Sequence, residues 1–209
     1  MPEKPSRAGR PRASSQRMLE EAASELFLEQ GYARTTIEQI TQRAGVSRNT
    51  FFNYVGSKSD LLWVELDASL RTLGEALAAE VDPGQVTDAP GESPHPVALV
   101  EQALITTARS FPAGRAPLVL TQHEVMGIDA ELQAAGLVRA LGHADLIETF
   151  LAARLTGPGA ELRARAIALA LVGAAAAAVA RWATDGPDRE PLESYLREVV
   201  HPIVVGFEP

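Results

Sequence analysis

Apolar residues recur along this chain at steps of three and four, and nowhere in a sustained alternation of two, which predicts an all-α fold of about nine helices. Leu19, Ala22, Ala23, Leu26 and Phe27 mark one face of a first helix over 14–30, and Gly31 supplies its stop. Thr35 and Glu38 read as a capping box, with Thr35 as the cap, opening a short helix that turns Ile37, Ile40 and Ala44 inward. Gly45 ends it and Val46 plugs the turn. Ser47 caps a third helix with Phe51 and Val55 inward, and Gly56 breaks it. Ser57 with Asp60 caps a fourth, running to about Glu80 along a stripe of Leu62, Leu66, Leu70, Leu73 and Leu77. Four prolines and two glycines make 82–96 a long loop. Five more helices are expected: His95 or Pro96 to Phe111, Pro117 to about Met126, Asp129 to Leu155, Ala160 to Thr184, and Pro191 to about Val205.

Two short helices joined by a glycine turn have the shape of a helix-turn-helix. The cap at Ser47 places Arg48, Asn49 and Thr50 in the first turn of the second one, where their side chains can reach base edges in a DNA groove. Charge changes how this reads. The chain carries −8 overall, which is odd for a nucleic-acid binder. Yet residues 1–60 hold nine Lys/Arg against seven Asp/Glu, while 61–209 hold ten against twenty. Within 1–17, five basic residues face one acidic. The positive charge sits at the end that would meet phosphates. The expected organisation is a basic arm over 1–13, a helix-turn-helix domain over 14–60 and a helical domain over 61–209.

Composition removes other classes. There is no cysteine, hence no disulfide, thiolate metal site or cysteine nucleophile. His95, His123, His143 and His201 lack metal-ligand spacing, Gly157-Pro158-Gly159 lacks the Lys-Ser/Thr of a phosphate loop, and no nucleophile elbow is present. The expectation is a protein that is not an enzyme and needs no metal or cofactor. Residues 1–15 are polar and rich in Pro and Arg, unlike a signal peptide. The longest apolar run, Ile167 to Ala180, is short and mostly alanine, so no membrane span is expected and the cytoplasm is the expected compartment.

Thr35-Thr36-Ile37, Ile40, Ala44-Gly45-Val46-Ser47, Thr50-Phe51-Phe52 and Ser57-Lys58 before Leu61-Leu62 resemble the DNA-binding domain of the TetR family of bacterial transcriptional regulators. The resemblance covers about 14–62, and the remainder matches only in length and helical texture. It implies a homodimer on a palindromic operator, with half-sites about 34–36 Å apart. The expected function is a repressor released by a small-molecule effector, with a transcriptional activator or dual regulator, or a non-switching architectural DNA-binding protein, as the alternatives. Arg48, Asn49 and Thr50 match base-facing positions of that family, and Thr35, Tyr54 and Lys58 match positions that hold phosphate. Phe52 departs from the pattern, since a phosphate-binding Tyr is common there and Phe has no hydroxyl. The resemblance also implies that the last two long helices, near 160–184 and 191–205, pair the two copies. The small residues of 173–178 allow such close approach.

Two further expectations stand apart from the helix-turn-helix. Arg7, Arg10 and Arg12, in the stretch Arg7-Ala8-Gly9-Arg10-Pro11-Arg12 that resembles the Arg-Gly-Arg-Pro core of AT-hook peptides, either lie in an A·T minor groove or only add phosphate attraction. Trp63, Phe111, His123, Met126 and Phe150 are candidates for an effector pocket, with core packing as the alternative for each.

Overall fold

Ten helices carry the described residues (12–79, 94–112, 116–186 and 188–207) of the computed structural model. They are α1 Arg12–Gln30, α2 Ile37–Ala44, α3 Arg48–Phe52, α4 Asp60–Ala79, α5 Pro96–Arg109, α6 Leu118–Thr121, α7 His123–Met126, α8 Asp129–Ala152, α9 Ala160–Thr184 and α10 Leu192–Phe207. No strand occurs among them. The tenth helix arises where one was expected over 117–126. Gln122, at φ −128° and ψ 17°, leaves helical geometry and splits that segment into α6 and α7.

The chain forms two compact units. The first, here called the head, comprises residues 1–64 together with 122–129. The second, the body, comprises 65–121 and 130–209. The division falls inside α4, a few residues beyond the boundary expected after residue 60, and the head includes a piece from the middle of the chain.

In the head, α1 packs against α2, α3 and α7. Leu19, Ala23, Phe27, Ile40 and Phe51 are all at or below 1% exposure and form its core. Leu61 and Trp63 are buried at the start of α4, whereas Leu62, placed inward by the stripe, is half-buried. Met126 and Ile128 close the core from the α7 side, and the Tyr32 N–H donates to the Met126 carbonyl at 2.9 Å. Arg43 of α2 bridges to Glu25 and Glu29 of α1 at 3.0 and 2.9 Å. Those two carboxylates, Glu29 foremost, push the Arg43 guanidinium pKa up, and Arg43 holds the Glu29 carboxyl below its ordinary range.

In the body, α10 packs on α9 and on α5. Trp182 is fully buried at the centre, with Phe111 edge-on at 6.1 Å between centroids. Val97 and Val100 of α5, Ile147 and Leu151 of α8, Leu171 of α9 and Val200 of α10 surround them. By length and composition α9 could cross a bilayer, which the count of contiguous apolar residues had not shown. One face of it is instead spent on this core, through Ala164, Ile167, Ala168, Leu171 and Trp182.

Candidate nucleic-acid interface

The turn before α2 corrects the sequence reading by one residue. Thr35 is 1% exposed, and its hydroxyl donates to the Gly31 carbonyl at 2.9 Å and accepts from Gln30 Nε2 at 3.2 Å. It stitches the α1–α2 connection and has no face for a phosphate. The exposed Thr36 is the cap instead. Its Oγ1 accepts from the Gln39 N–H at 3.2 Å, while Gln39 Oε1 accepts from the Thr36 N–H at 2.9 Å. Two adjacent threonines each offered a hydroxyl, and burial chose between them. Glu38, the expected partner of the cap, stays exposed in the first turn.

Gly45 ends α2 at φ 65°, a left-handed conformation that costs a residue with Cβ about 1–2 kcal/mol. Val46 is half-buried, and its N–H closes the turn on the Thr41 carbonyl at 3.0 Å. Ser47 caps α3 as expected, accepting from the Thr50 N–H at 3.0 Å. The Ser47 and Thr50 hydroxyls lie 2.8 Å apart, so Thr50 is half-buried and partly committed to the cap. Arg48 and Asn49 stand exposed.

Phe51 and Phe52 divide the labour of α3. Phe51 is fully buried and fixes the helix to the core. Phe52 is 48% exposed and lies edge-on to Phe51, with centroids 5.2 Å apart. The Arg48 guanidinium carbon is 5.8 Å from the Phe52 centroid. The ring where a phosphate-binding hydroxyl was missing thus lies beside the leading base-reading candidate, within the range of a cation–π attraction. Phe52→Leu keeps bulk and removes the π-face. The expected result is a loss of about 0.5–1 kcal/mol on a specific site, with non-specific affinity unchanged, measured by competition gel shift. Equal loss on both DNAs would show that Phe52 does not act through Arg48.

Of the phosphate candidates, Tyr54 follows the end of α3 and is half-buried. Lys58 is turned inward. Its Nζ donates to the Tyr32 and Thr35 carbonyls at 2.7 and 2.8 Å and lies 4.1 Å from the Tyr32 ring centroid. It ties the start of α4 to the turn before α2. The Asp60 carboxylate accepts from the Gly56 and Ser57 N–H groups at 2.9 and 3.0 Å, and Ser57 Oγ accepts from the Asp60 N–H at 3.3 Å. This is the cap expected for α4. Exposed Thr36, and exposed Arg34 beside the same turn, are the groups that the sequence reading missed. The signal for Thr36 was the pair of threonines itself, with only one place for an inward hydroxyl. Arg7 and Arg10 lie outside the described residues. Arg12 is the first residue of α1 and belongs to a helix, not to an extended arm.

The five pocket candidates are divided between the two units. Trp63 and Met126 are at or below 2% exposure in the head, and His123, also in the head, pairs with Asp129 at 2.6 Å. Phe111 and Phe150 are in the body, the first against Trp182 and the second under the Arg154 guanidinium at 3.7 Å. Trp63, Met126 and Phe150 are core residues, whereas Phe111 and His123 are half-buried. No group of three or more metal-ligating side chains occurs among the described residues.

The model for bacterial regulatory proteins of the tetR family matches residues 19–63, and that for the MftR C-terminal domain matches residues 94–208. A protein of Mycobacterium tuberculosis named as mycofactocin biosynthesis transcriptional regulator MftR is 26% identical over 181 residues, which cover 86% of this chain and 85% of that one. The HTH-type transcriptional regulator HbdR of an Aromatoleum species is 39% identical over 61 residues, 29% of this chain and 27% of that one. The crystal structure of native NalD, the secondary repressor of the MexAB-OprM multidrug efflux pump in Pseudomonas aeruginosa, is similar in fold. It has a TM-score of 0.56 and 20% identity over 94% of this chain and 98% of that one.

Proposed function

The chain belongs to the tetR family of bacterial regulatory proteins, and from that premise we propose a ligand-responsive repressor that binds a palindromic operator as a homodimer and is released by a small-molecule effector. The observation that carries the DNA-reading part is α3. It presents exposed Arg48 and Asn49 on one side while Phe51, fully buried, fixes the other to the core. The family's proteins regulate transcription and are not enzymes, and the cytoplasm is where the operator lies. Arg48 pairs with a guanine edge and Asn49 with an adenine edge, the pairings that best suit their donor geometry.

Arg48→Ala tests this reading on an operator selected from random-sequence DNA. Binding should weaken by roughly 1–3 kcal/mol, with preference relaxed at one base pair of each half-site. Uniform weakening on every sequence would reduce Arg48 to a backbone contact.

Pairing is assigned to α9 and α10. Leu162 and Leu169 are 75% and 42% exposed on α9, and Gly173, Ala176, Ala177 and Ala180 continue that exposed line at steps of three and four. A Cβ built on Gly173 would meet nothing within 4 Å. Val205 adds apolar surface on α10 at 52% exposure. Such a line on an isolated chain is a contact surface for a second helix pair. The protein should sediment as a dimer at micromolar concentration, and Ala177→Glu should convert it to a monomer. A monomeric wild type, or a variant still dimeric, would remove the assignment.

Switching follows from chain continuity, because α4 runs from Asp60 in the head to residues of the body without a break. An effector that favours one setting of α4 changes the spacing of the two α3 helices in the dimer. Its leverage is limited to its differential affinity for the two states, typically 1–3 kcal/mol.

A further inference from the structure

We propose that the groove between α5 and α10 binds a small organic monocarboxylate, with Arg197 as its anchor. The groove encloses about 420 Å³ and is lined from both helices. That volume is in the range of small-molecule sites.

The two helices cross it as a ladder. Arg109 of α5 pairs with Glu193 of α10 at one end. Glu101 of α5 pairs with His201 of α10 at the other, at 3.1 Å. These contacts make the helices antiparallel, so the middle rung sets Arg197 against Ile105 and Thr106. One end is closed by an ion pair and the other by the Glu101–His201 contact. Arg197 is exposed and makes no hydrogen bond or ion pair among the described residues. The surroundings make this arginine unusual. The stretch 61–209 holds twenty acidic residues against ten basic, yet the groove lining has two arginines and a histidine against one glutamate.

The rungs also choose the ligand. One guanidinium without a partner matches one negative charge, and its planar fork matches a carboxylate. A phosphate dianion would meet the Glu101 carboxylate that lines one end of the groove, while Arg109 at the other end is already paired with Glu193. The Thr106 hydroxyl and Gln102 amide line the same groove and can hydrogen-bond the carboxylate or a polar substituent. Ile105 is 3% exposed and forms an apolar floor for the ligand's body. An exposed ion pair alone holds little, so acetate should bind negligibly and an acid with a flat apolar body should bind well. Glu193, Arg197 and His201 follow one another at steps of four, and Val205 of the pairing surface continues that line one step beyond His201. The groove therefore lies beside the pairing surface proposed above and does not depend on DNA binding.

Benzoate, acetate and inorganic phosphate are titrated into the free full-length protein, with the Arg197 side-chain ¹⁵N signal and calorimetry as readouts. Benzoate should saturate and shift that signal. Arg197→Met should weaken benzoate at least tenfold, and Arg197→Lys, which keeps charge and loses the fork, severalfold. The side chain is exposed, so both variants should fold, and circular dichroism checks that. Four results would overturn the assignment: no saturation by benzoate, Arg197→Met binding benzoate like wild type, phosphate binding as tightly as benzoate, or Arg197→Met splitting a dimer.

Discussion

Phe51→Ala should unfold the DNA-reading surface before it changes any contact with DNA. Large-to-small changes of a buried Phe cost about 3–5 kcal/mol, against total stabilities of roughly 5–15 kcal/mol for a domain. Phe51 is fully buried, and α3 is five residues long. A helix that short has no stability of its own in water and exists because its buried face is held. Losing the anchor also frees Phe52, whose ring rests on Phe51, and with it the platform beside Arg48. Urea denaturation should show an early transition in the variant, and operator binding should vanish. Binding within twofold of wild type would mean that α3 is held by something other than Phe51.

Lys58→Met carries the second large effect and separates two roles for one side chain. Methionine keeps most of the stem and loses the ammonium, leaving the Tyr32 and Thr35 carbonyls without their donor. Hydrogen bonds to charged groups contribute roughly 1.5–3 kcal/mol each. Lys58 is half-exposed, so water replaces part of this, and a destabilisation of about 2–4 kcal/mol is expected in denaturant titration. A phosphate contact predicts something else. Stability would hardly change, and the slope of log affinity against log salt would fall by about one. The inward geometry favours the first outcome. Unchanged stability with a reduced slope would return Lys58 to the phosphate set.

The sequence carried the helices well because their signals are local. Caps at Ser47 and at Ser57 with Asp60, and stops at Gly31 and Gly45, each depend on a few neighbouring residues. The choice between Thr35 and Thr36 was not local. It depended on which hydroxyl the Gly31 turn could absorb, a question settled by packing against α1. Lys58 misled in the same way, since its partners lie 23 and 26 residues away. The pocket candidates raise a different point. Size and helical position identify residues that need burial, and Trp63, Met126 and Phe150 found it in two separate cores. The groove at Arg197 was invisible because its residues come from segments about ninety positions apart and none is large or rare.

The placement of α7 has an outcome for anyone recombining these regulators. Met126 and Ile128 are parts of the head's interior, although the chain reaches them only after α5 and α6. A fragment ending within α4 would lack both plugs and would leave the Tyr32 N–H without the Met126 carbonyl. A chimera that joins this reader to a foreign sensor at α4 inherits the same hole. The transferable reading module is discontinuous, and residues 122–129 must travel with it as a graft into the new host.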